Sequence, residues 1–125
     1  MSTLDLSPEI ARVLDLEHTL ENLGGDHELL REIMDFFVEL MPQQIEDLAA
    51  AVLAGDVATV GLQAHGMKGG SGNVGAVRVV ATARELEMLA KDGSLAGAAE
   101  LVQQLREDFR ELHEVLPRLD WTKLG

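Results

Sequence analysis

Apolar side chains return every three or four residues along almost the whole chain, a period that becomes one buried face only on a helix. Leu29, Leu30, Ile33, Met34, Phe37, Leu40 and Met41 make one such stripe, and Ile45, Leu48, Ala49, Val52 and Leu53 resume it. Leu95, Ala98, Leu101, Val102, Leu105, Phe109, Leu112 and Leu116 make the last one, and Val79, Ala83, Leu86 and Ala90 share a face between them. Three Phe, one Trp and no Tyr leave little material for strands.

Stop and start signals divide these stripes into helices. Ser7-Pro8 opens a first helix, with Ser7 as cap, that runs to about Leu23 and ends at Gly24-Gly25. Asp26 caps a second helix, which Pro42 is expected to kink or interrupt by removing a backbone donor. Gly55 ends it, and Asp56 caps a third helix over roughly Val57 to Ser71. Gly72-Asn73-Val74-Gly75 reads as a break, and a fourth helix spans about Ala76 to Lys91. Asp92-Gly93 closes that helix, and Ser94 is expected to cap the last one, which stops near Pro117. Phe36 and Phe37 are expected at the core and its edge, and the tail from Arg118, with Trp121, has no assigned place. Short connections favour antiparallel neighbours, so the expected fold is all-α: an up-down four-helix bundle with an additional N-terminal helix.

At 125 residues and 46% hydrophobic, the chain suits a single domain, 1–125. With no cysteine, disulfides, thiolate zinc sites and cysteine nucleophiles are excluded. The formal charge of −12 argues against nucleic acid and anionic membranes as partners. No apolar run approaches the ~20 residues of a membrane span, and no basic-then-apolar leader is visible, so the cytoplasm is the expected location. Residues 1–60 hold 13 acids against Arg12 and Arg31, whereas residues 61–125 hold 9 acids and 8 bases. An anion is thus better tolerated in the second half, although a solvated acidic helix face is the commoner explanation of the first half and needs no function.

One segment conflicts with the helical pattern around it. Six of the twelve glycines lie between Gly61 and Gly75, and each glycine inside a helix costs about 1 kcal/mol relative to alanine. Such conflicts tend to mark functional sites. At 100° per residue, Val60, Ala64, Met67 and Ser71 fall on the core side, while His65 falls well away, flanked by Gly61 and Gly69. His65 therefore stands on a stripe stripped of side chains, with Lys68 one turn on. Tight helix packing through small residues is the plainer explanation of such a stripe. A neutral imidazole is well populated near neutral pH, because its unperturbed pKa is ~6.5, and its free nitrogen is a nucleophile. A lysine three residues later offers a mobile charge for a transferring phosphoryl group.

The run Ala64-His65-Gly66-Met67-Lys68-Gly69-Gly70-Ser71-Gly72-Asn73-Val74-Gly75-Ala76 resembles the signature of histidine-containing phosphotransfer (HPt) domains. That signature is Ala-His, two residues, Lys-Gly, then Gly-Ala beginning six residues after that Gly. The resemblance extends more weakly from about Gly24 to Leu116. It implies a histidine phosphocarrier in a two-component phosphorelay, a phosphotransfer protein without ATP-dependent kinase activity. His65 is then the phosphoacceptor, taking a phosphoryl group from a receiver-domain aspartate or a sensor kinase and passing it to another receiver. Lys68 neutralises the phosphate, Gly69 gives the partner room, and Gly75 belongs to the following turn. Met67 stands where leucine or isoleucine is usual, and Gly70 where serine or alanine is common. In the phosphotransfer domain of chemotaxis kinases a glutamate twenty-two residues after the histidine contacts its other ring nitrogen. Glu87 occupies that offset, and is either such a ring partner or an exposed helix acid beside Arg84 and Lys91.

The implied partners are response-regulator receiver domains and a sensor histidine kinase of the hybrid kind, docking a monomer over Gly61, Leu62, Gly69 and Gly72 and the first helix. No cofactor is expected on this chain, and magnesium belongs to the receiver. The alternative is a non-catalytic adaptor using the same bald stripe. Other motifs are weaker. Gly70-Ser71-Gly72-Asn73-Val74-Gly75 matches G-x-G-x-x-G but follows a helical pattern where a dinucleotide site needs a strand. Lys68 precedes the closely spaced glycines, so no phosphate loop of the G-x-x-x-x-G-K-[ST] type is present. Ser71 lacks a base and an orienting group. His18, His27 and His113 have no metal-ligand spacing, and no Glu-x-x-His pair occurs.

Overall fold

A computed structural model of the chain describes residues 8–119. These form α1 (Pro8–Val13), α2 (Leu16–Asn22), α3 (His27–Leu53), α4 (Val57–Asn73), α5 (Val77–Lys91) and α6 (Ala98–Val115), then a 3-10 turn, Leu116–Arg118. Helix α3 packs on α4, α4 on α5, α5 on α6, and α6 back on α3, so the four long helices close a ring. Leu30, Met34, Met41 and Leu48 of α3, Val60 and Ala64 of α4, Ala83 and Leu86 of α5, and Leu105 and Leu112 of α6 fill the centre. Buried polar groups between the helices find partners. Asp108 of α6 is buried and accepts hydrogen bonds from Thr82 Oγ1 of α5 and Gln104 Nε2. Its carboxylate therefore has partners for both oxygens.

The structure departs from the expected element boundaries in several places. The single N-terminal helix is two short ones, because Asp15 breaks it. The Asp15 side chain accepts from the His18 amide at 3.2 Å and caps α2, while its own amide donates to Gly75 O at 2.8 Å. The expected cap Ser7 lies outside the described residues.

Pro42 does not interrupt α3, which is continuous from His27 to Leu53. Met34, Phe37 and Met41 before the proline and Ile45, Leu48 and Ala51 after it are buried on one stripe. Packing on both sides outweighs the ~3 kcal/mol that a mid-helix proline costs, and Pro42 itself is exposed.

Helix α4 runs two residues into the expected break, through Gly72 and Asn73, and the chain turns at Val74 and Gly75 within it. Ser94 does not cap α6. Its hydroxyl accepts from the Ala96 amide at 3.1 Å within the connecting turn, and Gly97 is the residue before the helix. Phe37 is buried, but Phe36 is 62% exposed, away from the core and its edge. Trp121 lies outside the described residues.

The short helices are held against the end of the bundle near the α4–α5 turn. Gly75 in that turn has φ +73°, and a Cβ there would lie 2.6 Å from Asp15 O and would also strike Thr19 Oγ1. Only glycine allows both that backbone conformation and that approach. Arg12–Glu111 and Arg118–Glu9 ion pairs at 3.2 and 2.8 Å join α1 to α6 and the turn after it. Both pairs are solvent-exposed and contribute little to stability.

Candidate functional site

Helix α4 begins where Asp56 accepts from the Thr59 amide at 3.1 Å and from Thr59 Oγ1 at 2.6 Å. Its buried face is Val60, Ala64, Met67 and Ser71, the four residues that the spacing places inward. His65 consequently points out, with 68% of its side chain exposed. Lys68, one turn on, lies on the side toward α5 and is 30% exposed.

Glu87 reaches this pair from α5. It is buried, with only 9% of its side chain exposed, rather than standing free beside Arg84 and Lys91. Its Oε2 lies 2.6 Å from His65 Nδ1, and its Oε1 accepts from Lys68 Nζ at 2.6 Å. The Lys68 hydrogen bond, and next the His65 one, hold the Glu87 carboxyl down at about 2, although burial opposes this. An ionised carboxylate only accepts, so in the neutral ring the proton belongs on Nδ1 and the lone pair on Nε2. One acid thereby fixes the ring's orientation and tautomer and anchors the lysine beside it.

The glycines of the motif divide by role. A Cβ on Gly61 would lie 3.2 Å from Ala90 Cβ, so this glycine sits at the close approach of α4 to α5. Nothing lies within 4 Å of a Cβ placed on Gly66, Gly69, Gly70 or Gly72. Of these, Gly66, Gly69 and Gly72 are exposed and leave the helix surface around His65 bare, whereas Gly70 is half-buried. Leu62 stands on the same side, 75% exposed. Tight packing therefore explains Gly61 and leaves the other four glycines without a structural reason.

The remaining polar residues lie elsewhere. Ser71 Oγ donates to Met67 O at 2.6 Å and is buried. The His18 ring pairs with Asn22 Nδ2 at 3.4 Å, and the His113 ring packs on Phe109 with centroids 6.1 Å apart. Among the described residues no three His, Asp or Glu side chains cluster as a metal site, and no helix is long and apolar enough to cross a membrane. Sequence reasoning did not anticipate the Lys68–Glu87 pair or the contact of Gly75 with Asp15 and Thr19. A separation of nineteen residues carries no signal by itself, and Asp15 is one acid among many.

Fold and site together define a class, the helical bundle that presents an accessible histidine with its second ring nitrogen held by an acid. The family model of the Hpt domain matches residues 32–115. The crystal structure of histidine-containing phosphotransfer protein B (HptB) from Pseudomonas aeruginosa PAO1 is similar, with a TM-score of 0.74 and 30% sequence identity. The match covers 90% of this chain and 95% of that one. No curated protein sequence matches. The chain belongs to the Hpt domain family, and it is a histidine phosphocarrier of phosphorelays.

Proposed function

We propose that His65 carries the phosphoryl group, and that Lys68 and Glu87 make it able to do so. Hpt domains exchange phosphoryl groups with receiver domains and kinases. In the proposed step the Nε2 lone pair attacks the phosphorus of a receiver's aspartyl phosphate. The P–N bond forms, the P–O bond to the aspartate breaks, and the aspartate leaves as carboxylate. The Nδ1 proton stays where it is, and the ring becomes cationic against Glu87. Transfer to a second receiver runs the same step in reverse.

The observation that carries this reading is the 2.6 Å contact of Glu87 Oε2 with Nδ1, on a ring whose other edge is open. Lys68 supplies positive charge for the moving phosphoryl group by swinging away from Glu87 Oε1. The ridge of Gly66, Gly69 and Gly72 lets the partner's backbone approach. Magnesium stays on the receiver, the kinase is of the hybrid kind, the carrier works as a monomer, and the setting is the cytoplasm.

The test is to mix a phosphorylated receiver with the protein and follow intact mass and acid-labile phosphate. Label is expected on the unmodified chain and none on His65→Gln. Label on His65→Gln overturns the assignment of His65. Binding of the receiver without any label on the unmodified chain favours the adaptor.

A further inference from the structure

On the α6 side of α5, the two helices border an open cleft of about 490 Å³, a volume in the range of small-molecule sites. Thr82 of α5 and Gln104 and Asp108 of α6 line it together. Asp108 is only 1% exposed, and both of its hydrogen-bond donors, the Thr82 hydroxyl and the Gln104 side-chain amide, are neutral. Among the described residues no cation pairs with Asp108, and Arg78, which lines the same cleft, makes no ion pair either. A buried carboxylate normally has a counter-charge. It offers about four acceptor positions, so two donors leave about two of them open. The cleft therefore holds a buried negative charge that the chain itself does not match.

We propose that this cleft binds a small alkyl polyamine, with one ammonium group against Asp108 and another against the exposed acids that line it. Those acids are Glu85 and Glu100. With Asp108 they set three negative charges against Arg78 alone, which disfavours an anion. The acids do not converge as a metal site, since among the described residues no three His, Asp or Glu side chains cluster in that way. Ala81 and Leu101 add an apolar lining on which a methylene chain can lie. A polyamine joins separate ammonium groups through such methylenes, and so meets all three features at once. The site is independent of the phosphocarrier reading. Glu87 leaves α5 toward His65 and Lys68 of α4, whereas Thr82 faces Asp108 of α6.

The test titrates spermidine into the full chain at physiological ionic strength, followed by calorimetry and by amide NMR. One saturable site is expected, with shifts at Thr82, Gly97, Leu101 and Gln104. Asp108→Asn keeps the size of the side chain and a hydrogen-bonding group for both neighbours, and should weaken spermidine about tenfold. Butylamine, with a single ammonium group, should bind the unmodified chain about tenfold more weakly than spermidine. Arg78→Ala removes the competing cation and should tighten binding. Glu28→Gln, at an exposed position on α3, removes a charge elsewhere and retains the affinity, as does His65→Gln. Circular dichroism checks folding. If Asp108→Asn fails to fold, Ala81→Lys places a cation in the cleft from an exposed position and should abolish binding. Spermidine that never saturates, or that binds Asp108→Asn or Ala81→Lys as it binds the unmodified chain, overturns the proposal and leaves only a counter-ion of an acidic protein. Butylamine binding as tightly as spermidine overturns the two-ammonium assignment.

Discussion

Replacing Gly75 with alanine is the sharpest test of how the N-terminal helices are held. The left-handed backbone at Gly75, φ +73°, costs a non-glycine residue about 1–2 kcal/mol. The new methyl group would lie 2.6 Å from the Asp15 carbonyl oxygen and against Thr19 Oγ1, so α2 must move. Moving it breaks the 2.8 Å bond from the Asp15 amide to Gly75 O, a further ~1 kcal/mol. The sum is about 2–3 kcal/mol. At roughly 4 °C per kcal/mol for a chain of this size, the melting temperature should fall by ~8–12 °C. Gly69→Ala is the matched opposite. It lies inside α4 with open space where its methyl group goes, so it should gain ~0.5–1 kcal/mol and melt ~2–4 °C higher. Thermal unfolding followed by circular dichroism reads both. Gly75 is more than two helical turns from His65, so Gly75→Ala should still take up phosphate well below its melting point. A Gly75→Ala protein melting within ~2 °C of the unmodified chain, or the two variants shifting in the same direction, refutes the contact account.

Three further outcomes follow from the same geometry. Lys68→Ala should keep the fold and slow transfer tenfold or more in a rapid-quench assay; an unchanged rate removes Lys68 from the step. Pro42→Ala should raise the melting temperature, because α3 already runs through that exposed position and regains a backbone donor; a lower melting temperature means that the proline is accommodated for a reason of its own. The Glu87 carboxyl is held below its ordinary value, at about 2. Its contribution to stability is therefore complete above the unfolded value near ~4.5 and is lost as pH falls from there toward 2. Melting curves from pH 6 to 2.5 should converge for the unmodified chain and Glu87→Gln, and parallel curves would contradict the pairing.

Much of this was legible in the sequence because it depends on local periodicity. Val60, Ala64, Met67 and Ser71 are buried as their spacing requires, and that placement alone turns His65 outward. The misread features depend on contacts between distant segments. Pro42 reads as either a kink or an interruption, and the interruption is ruled out only by the buried stripe that continues on both sides of it in one helix. Ser94 has the chemistry of a helix cap, but its hydroxyl serves the turn and the helix starts later, where Ala98 enters the core. The N-terminal helix breaks because Asp15 pairs with a turn sixty residues away, which no local pattern encodes. Glu87 shows the boundary most clearly. Its offset from His65 makes it a candidate ring partner, yet its burial and its second bond to Lys68 emerge only when α4 and α5 are packed together.

In the proposed step Glu87 keeps the proton on Nδ1 and leaves Nε2 as the nucleophilic edge of His65. Nitrogen-15 and phosphorus-31 correlated NMR of the phosphorylated, isotopically labelled protein tests it most directly. The expected spectrum couples phosphorus to Nε2 of His65 and shows a proton retained on Nδ1. Phosphorus coupled to Nδ1 instead, or to a different histidine, would contradict it.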